Sequence, residues 1–261
     1  MNNDLNTILQ LLFRWAHIVA GIAWIGHLYF FNFVNTPFQG KIDGPTKKVV
    51  NPELLPRALY WFRWGAAWTW FTGILLAALI YYHTATVLFE QDYVGNPWLW
   101  LAIVLVLLAV CFVLYNFIMK ALPNKVLAAA ICLVLYAGVY LFLEYCGHFS
   151  GRALYIHAGA IFGTMMALNV WMVIWPKQKQ IITALKAGTP LAPDSPEVKI
   201  AGLRSRHNTY MSVPLIFMMI SNHYPTMYSN NYRDICLAAT IALGFFVTWL
   251  LYKKAPKVPG I

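Results

Sequence analysis

Charged residues are scarce in this sequence, and acidic residues are the scarcest of them. Only 11% of the 261 residues are Asp, Glu, Lys or Arg, whereas roughly 25% are charged in an average soluble domain. Nine residues are acidic and 19 are Lys or Arg, so the formal net charge is +10. Such a balance would suit nucleic acid, but the basic residues lie between long apolar runs, where membrane topology explains them. We therefore expect no nucleic-acid partner.

Cysteine is also rare, and its spacing excludes several kinds of site. The four cysteines form neither CxxC nor CxxCH, which excludes covalent attachment of a c-type haem and the usual zinc spacings. The sequence has no GxSxG, HExxH, Walker A or dinucleotide-binding motif either. Its carboxylates are too few and too scattered to predict a paired acid/base site. Histidine is therefore the residue type to examine for chemistry.

Long apolar runs, by contrast, are abundant. Hydrophobic residues make up 60% of the chain, and there are eleven Trp, a residue that anchors helices at membrane interfaces. Since a membrane-crossing helix needs about 20 apolar residues, the sequence predicts an all-α fold: a polytopic membrane helical bundle of about seven transmembrane helices, forming a single integral membrane domain over residues 1–261. Asn96-Pro97 and Leu122-Pro123-Asn124 are predicted helix boundaries. The predicted spans lie near residues 8–33, 60–82, 97–119, 125–143, 153–175, 208–224 and 233–252.

The distribution of positive charge orients these spans. Lys and Arg are concentrated in two predicted loops, 35–59 and 176–207, in the turn 120–125 and in the tail, whereas 83–96 and 144–152 are neutral or acidic. Because basic loops stay in the cytoplasm, this alternation predicts that the N-terminus lies outside and the C-terminus in the cytoplasm. The N-terminal residues lack the positive region of a signal peptide, so the first run is predicted to remain a span. We expect a multi-pass protein of a bacterial inner (cytoplasmic) membrane.

Histidines in and beside these spans are the candidate functional residues, because ionisable groups within a membrane usually face a cofactor, a cavity or the protein interior. His17 and His27 lie in the first span, about 15 Å apart along one helix and about 80° apart around it. His157 lies in the fifth span, and His223 ends the sixth. Since neutral imidazole ligates haem iron, one or two b-type haems could bind at different depths. The same histidines could instead be hydrogen-bonded packing residues, and the sequence leaves both interpretations open.

The surroundings of His17 and His157 would suit a haem that these two side chains ligate toward the outer face. Trp24 follows His17 on the first span and could supply a flat apolar wall. Arg14 and Arg152 lie at the outer ends of the first and fifth spans. They could pair with the haem propionates.

Three ordered segments resemble the membrane domain of the cytochrome-c-linked membrane urate oxidases. The first is RWAHIVAGIAWIGH at 14–27. The second contains HAG, GTMM and NV within 157–170, and the third begins RSRHNTY and reaches SNHYP within 204–225. The resemblance extends over nearly the whole chain, about 8–252. The part from His17 to Trp24 is also similar to haem-binding membrane protoporphyrinogen oxidases and to copper-resistance membrane proteins.

This resemblance implies a membrane b-haem oxidoreductase that oxidises urate and passes electrons to cytochrome c. The urate-oxidising members carry a C-terminal cytochrome c domain, which this sequence lacks up to Ile261. The expected acceptor is therefore a separate cytochrome c or another membrane redox subunit. The residues to which the family motifs assign importance are His17, His27, His157, His207 and His223.

The segment at the start of the sixth span is the predicted catalytic site. Arginine can pair with an anionic purine through its planar fork of donors, and this segment would bind urate if urate is the substrate. The same residues could simply be the cytoplasmic topology signal at a helix start. The predicted catalytic residues are Arg204, Arg206, His207 and Asn208.

Two other functions compete with an enzyme. The chain could be a non-catalytic membrane anchor or electron-transfer subunit of a larger respiratory or photosynthetic complex, with oligomeric assembly in the bilayer. A transporter is the weakest hypothesis, because neither an inverted repeat nor a pair of broken helices is evident.

Overall fold

The computed structural model describes residues 3–258, and most of them are helical. The described residues contain no β-strand, and this confirms the all-α fold. The single-domain prediction also included residues 1–2 and 259–261, which lie outside the described residues. The α-helices are α1 (Asn3–Tyr29), α2 (Thr36–Gln39), α3 (Gly44–Ala77), α4 (Pro97–Ala121), α5 (Lys125–Tyr145), α6 (Gly151–Leu168), α7 (Trp175–Lys186), α8 (Pro196–Ile220) and α9 (Arg233–Lys254).

Three π-helical segments continue α1, α3 and α6. They are Phe30–Asn35, Ala78–His83 and Asn169–Ile174. The first joins α1 to α2 and the third joins α6 to α7, so these pairs form unbroken helical rods. Because π-helical turns interrupt the regular ladder and often occur at functional sites, their side chains are candidates for chemistry.

Six helical segments within the described residues are long and apolar enough to cross a membrane. The predicted sixth span, 208–224, overlaps only the C-terminal half of α8 (Pro196–Ile220). This helix has 25 residues and thus sufficient length, but it is not among those six. Its N-terminal half carries Glu197, Lys199, Arg204 and Arg206, which lower its hydropathy. The polytopic membrane bundle is confirmed, and its orientation stays a prediction. The six segments are Asp4–Gln39, Gly44–His83, Pro97–Ala121, Lys125–Tyr145, Gly151–Lys186 and Arg233–Lys257.

Asparagine caps fix the beginnings of α4 and α5. The Asn96 side chain accepts hydrogen bonds from the backbone N–H groups of Trp98 and Leu99, at 3.0 and 3.2 Å. Asn124 does the same at α5, at 3.1 Å to each of two N–H groups. These bonds satisfy donors that a helix start leaves unpaired. They confirm the boundaries predicted at 96–97 and 122–124.

The predicted loops 35–59 and 176–207 are wrong, because both are largely helical. The first contains α2 and the beginning of α3, and the second contains α7 and the beginning of α8. Asp43 caps α3 by accepting a 2.8 Å hydrogen bond from the Thr46 N–H, and hydrogen bonds with Thr46 lower the pKa of its carboxyl. Hydropathy identifies only the lipid-embedded part of a helix, whereas a polar sequence with good helix formers extends the same helix into water.

The described chain divides into two compact units, each built from parts of several helices. The first unit comprises the described residues of Met1–Arg14 with Gly73–Met165 and Pro214–Ile241; the second comprises Trp15–Thr72, Met166–Val213 and the described residues of Ala242–Ile261.

In the first unit, ion pairs and backbone hydrogen bonds tie the connection after α3 to neighbouring helix ends. The Glu90 N–H donates to the His148 carbonyl at 2.9 Å, and the Ser150 N–H donates to Leu88 at 2.9 Å. Arg233, at the start of α9, pairs with Glu90 at 3.0 Å and with Glu144 at 2.5 Å. This end of the unit is therefore held by both backbone and charge.

In the second unit, α1 and α3 approach each other closely at Gly65. A Cβ atom at this position would lie 2.9 Å from the Trp24 backbone nitrogen and 3.2 Å from the Ala20 carbonyl oxygen. Both are backbone atoms, which cannot move aside as a flexible side chain would. Only glycine therefore permits this contact, and small residues commonly serve this purpose between membrane helices.

Replacing Gly65 with Ala is expected to destabilise the protein by about 1–3 kcal/mol, because the methyl group overpacks a backbone contact. The matched control is Gly138→Ala on α5, where an added Cβ would meet nothing within 4 Å. The control should be neutral or slightly stabilising, because Ala has the better helix propensity. Thermal unfolding of the detergent-purified variants measures the difference, and equal midpoints for both variants would contradict the close α1–α3 contact.

Candidate functional site

His157 is the most enclosed histidine of the first unit. It lies on α6 and is 3% exposed. Its Nδ1 is 2.7 Å from the Ala153 carbonyl, which can only accept, so Nδ1 carries the proton. Nε2 therefore has the lone pair, and it accepts a hydrogen bond of 2.6 Å from the Tyr82 hydroxyl. Both nitrogens of this ring are thus engaged within the protein.

Aromatic rings and an asparagine connect His157 to Arg152. The rings of Tyr81 and Tyr82, in the π-helical segment Ala78–His83, both meet the imidazole edge-on at 5.7 Å. The Tyr81 hydroxyl and the Arg152 Nε both donate to Oδ1 of Asn222, at 2.9 and 2.8 Å. Two of the predicted cofactor residues, Arg152 and His157, therefore belong to one cluster.

The other predicted residues of the first unit are less enclosed. His223 follows Asn222 on a short 3₁₀ turn and is exposed. Arg14, on α1, is also exposed. Neither side chain takes part in the hydrogen bonds that join His157, Tyr82, Tyr81, Asn222 and Arg152.

In the second unit, α1 presents two histidines in the same tautomer. The His17 Nδ1 is 2.8 Å from the Thr69 carbonyl of α3, and the His27 Nδ1 is 2.7 Å from the Ala23 carbonyl. In both rings the proton is therefore on Nδ1, and Nε2 holds the lone pair. A bond from Nδ1–H to a carbonyl is the usual support of a metal-ligating histidine, because it fixes both the tautomer and the ring orientation.

Trp24 lies between these histidines in the sequence and is buried, with 2% of its surface exposed. Its indole Nε1 is buried and has no hydrogen-bond partner among the described residues. Buried donors are nearly always paired. This N–H is therefore available to a bound group.

The four predicted catalytic residues do not face the same way. Arg204 and Asn208 are one turn apart on α8 and almost fully buried, at 3% and 0% exposure. Arg206 is exposed, and its guanidinium lies over the Tyr252 ring at 4.7 Å. His207 is half-buried. Two residues along an α-helix correspond to about 200° around its axis, and this periodicity separates Arg206 from the buried pair.

The Asn208 amide joins α8 to the end of α6. Its Nδ2 donates to the Met166 carbonyl at 2.9 Å, and its Oδ1 accepts from the Asn169 Nδ2, also at 2.9 Å. Asn169 is itself fully buried and begins the π-helical segment Asn169–Ile174. A substrate that forms hydrogen bonds with Asn208 would therefore have to displace those that Asn208 forms between α8 and the end of α6.

Further polar groups line α8 in the second unit. The Tyr29 hydroxyl is 3.0 Å from the Ser212 Oγ, and Asn32 donates to the Ser205 Oγ at 2.8 Å. The Tyr252 hydroxyl donates in turn to Asn32 at 2.8 Å. Polar residues in a membrane bundle are costly and usually functional or structural links between helices, so this face of α8 is a candidate binding region.

Sequence reasoning assigned no site role to Tyr81, Tyr82, Asn169 and Asn222. Each forms its contact with a distant segment, such as position 82 with position 157. Two signals could have found them: Asn169 and Asn222 lie within the motifs that resemble the family, and the two tyrosines stand beside His83, a histidine that is itself exposed. Within residues 3–258 no three His, Cys, Asp or Glu side chains converge as a metal site. A metal there would need fewer protein ligands, as haem iron does.

Comparison with known proteins supports the resemblance seen in the motifs. The sequence model of the family described as urate oxidase N-terminal matches residues 39–258. No curated protein and no solved structure gives a significant match. The matched range contains His157, His223 and the Arg204–Asn208 segment but begins after His17 and His27. Because the match covers most of the sequence, the chain belongs to the urate oxidase N-terminal family.

Proposed function

We propose that this chain is a membrane oxidoreductase of the urate-oxidase type that holds b-type haem and passes electrons to a separate cytochrome c. The observation that carries the proposal is the hydrogen bond of 2.8 Å between the His17 Nδ1 and the Thr69 carbonyl. It leaves the Nε2 lone pair for iron, and the partner is a backbone atom of another helix. The ring is therefore held in a ligating orientation by the packing of α1 on α3.

The residues of the second unit fit a haem in two respects. His17 and His27 each offer an Nε2 lone pair, and one helix carries both. The unpaired indole N–H of Trp24 could donate to a propionate. A b-type haem would supply one-electron redox chemistry here, while the protein would fix the ligand rings and limit access of water.

His157 is a less accessible ligand in this arrangement. Its Nε2 already accepts the Tyr82 hydroxyl, so iron ligation would require Tyr82 to give up that bond. The Tyr82 phenol would then have to find another acceptor, because an unpaired buried donor is costly. We therefore propose that His17 is a haem ligand and that His157 serves its cluster as a neutral hydrogen-bond acceptor.

The buried side of α8 is the proposed binding region for an anionic purine such as urate. Arg204 supplies a cation with a planar fork of donors, and it is 3% exposed. Charge-assisted hydrogen bonds strengthen where water is excluded. The exposed Arg206, stacked over Tyr252, is proposed to attract the anion without holding it.

The second candidate function is a non-catalytic membrane anchor or electron-transfer subunit. The observation that favours it is the engagement of two predicted site residues within the protein, His157 by Tyr82 and Asn208 by Asn169 and Met166. A structural subunit needs such hydrogen bonds between helices, and it does not need a side chain that is available to a substrate. Co-purification with other membrane proteins, together with no urate turnover by the assembly, would favour this function.

A reduced-minus-oxidised absorption spectrum of the detergent-purified protein tests haem binding directly. With dithionite as reductant and a pyridine haemochrome assay, we expect a b-type signal corresponding to one or two haems per chain. Protein from iron-replete cells that contains no haem would contradict the proposal.

Histidine variants should separate ligation from packing. His17→Ala is expected to abolish most of the haem signal, because it removes the proposed iron ligand. His157→Ala should instead lower thermal stability, since it leaves the buried Tyr82 hydroxyl unpaired. Such an unsatisfied group costs about 1–3 kcal/mol of folding free energy. His83→Ala, at an exposed position, is the control and should change neither property. Full haem content in His17→Ala would exclude His17 as a ligand.

Arginine variants should locate the purine site. Arg204→Gln is expected to raise the KM for urate about tenfold or more, because a lost charge-assisted hydrogen bond costs about 1.5–3 kcal/mol. Arg206→Gln, on the exposed side of the same helix, should change KM less and make it less sensitive to salt. Urate-dependent reduction of added cytochrome c by the full chain measures both. The reverse order of effects would move the substrate to the exposed side of α8.

A further inference from the structure

Arg63 on α3 lies among aromatic rings of the second unit. Its guanidinium carbon is 4.0 Å from the Trp175 ring centroid, 5.8 Å from that of Trp171 and 5.7 Å from that of Tyr60. The Trp171 indole N–H donates to the Arg63 carbonyl at 2.8 Å. The arrangement therefore fixes both the backbone and the side chain of Arg63 against the junction of α6 and α7.

The guanidinium of Arg63 has no hydrogen-bonding or ion-pairing partner among the described residues. Its Nε is buried without a hydrogen bond, and none of the ion pairs found within residues 3–258 includes it. Two acidic residues of the same unit are already paired, Glu53 with Arg57 and Glu197 with Lys177. Cation–π contacts offset only part of the free energy that it costs to remove a cation from water. A guanidinium with aromatic neighbours and no anion is therefore able to bind one.

The ends of the apolar runs indicate that Arg63 lies close to a membrane–water boundary. It is near the start of the apolar run 60–82, and Trp175 ends the apolar run 153–175, with Pro176 and Lys177 directly after it. Arg63 and Trp175 thus lie at the same depth on two different spans. The exposed rings of Trp61 and Trp64 lie at this level too, and such rings are typical of the headgroup region.

The aromatic contacts do not satisfy the N–H donors of the guanidinium. The Trp175 ring lies 4.0 Å from the guanidinium carbon, but aromatic rings provide no oxygen acceptor for those donors. Two N–H donors on one edge of a guanidinium match two oxygens of a phosphate group, which arginine binds with two parallel hydrogen bonds. Phospholipid headgroups supply such phosphates at the boundary of the hydrocarbon core.

We propose that Arg63, held by Trp175, Trp171 and Tyr60, binds the phosphate group of an anionic phospholipid headgroup. The site is separate from the residues to which redox chemistry is assigned above, so it does not depend on haem or urate. Lys179, exposed on α7 one turn after Trp175, adds positive charge that favours an anionic lipid over a zwitterionic one. Free inorganic phosphate offers the same oxygens, and the placement of Arg63 at a lipid boundary favours the headgroup.

Native mass spectrometry of the full chain, titrated with phosphatidylglycerol, tests the site. Arg63→Gln should bind the lipid about tenfold more weakly, which is the effect of losing about 1.4 kcal/mol. Arg63→Lys should also bind more weakly, because it keeps the charge but loses the planar fork. The matched control is Arg57→Gln on the same helix, an exposed side chain paired with Glu53. It should bind phosphatidylglycerol as the unchanged protein does.

The outcomes distinguish the sources of phosphate. Competition by inorganic phosphate at equal concentration would overturn a lipid site, and so would unchanged lipid binding in Arg63→Gln. Equal weakening in Arg57→Gln would show nonspecific charge and would also overturn the proposal. The proposal would be supported if only the Arg63 variants bound phosphatidylglycerol more weakly, and if the unchanged protein bound phosphatidylcholine more weakly than phosphatidylglycerol.

Size-exclusion chromatography and thermal unfolding check that each variant is folded. If Arg63→Gln does not fold, Arg63→Lys is used for the comparison instead.

Discussion

The structure depends on one constraint: a polar group buried in a bilayer has no water with which to pair. Each buried polar side chain must therefore find a partner on another helix, on its own backbone or on a bound molecule. Asn208 meets Asn169 and the Met166 carbonyl, His157 meets Tyr82, and His17 meets the Thr69 carbonyl. These contacts set how the helices pack within each unit, and the groups that remain incomplete indicate where a ligand could bind.

The sequence predicts what depends on local pattern. Apolar runs predicted the membrane-embedded part of six helices, and Asn96 and Asn124 predicted two helix starts. The sequence did not predict that α3 begins at Gly44 or that α7 continues to Lys186. Hydropathy detects apolar segments and gives no signal for the polar part of a helix outside the membrane. The Tyr82–His157 bond joins positions 75 residues apart, and no single-sequence pattern encodes such a contact.

Helical periodicity changes the interpretation of the basic segment on α8. In the sequence, Arg204, Arg206, His207 and Asn208 look like one cluster, because they are neighbours. On the helix, Arg204 and Asn208 are buried while Arg206 is exposed. Both original hypotheses can then hold at once, since the exposed arginine suits a topology signal and the buried pair suits recognition or helix contact.

The same constraint distinguishes Arg63 from Arg233, the arginine of the first unit with the most ion pairs. Arg233 pairs with Glu90 and Glu144, so it is complete within the protein and serves to join helix ends. Within residues 3–258, Arg63 has three aromatic rings around it and no carboxylate. Aromatic rings cover the faces of a guanidinium but accept none of its in-plane N–H bonds, so they orient the group and leave its charge to be neutralised from outside. At a membrane boundary the surroundings supply that anion, and the bilayer becomes a specific ligand as well as a solvent.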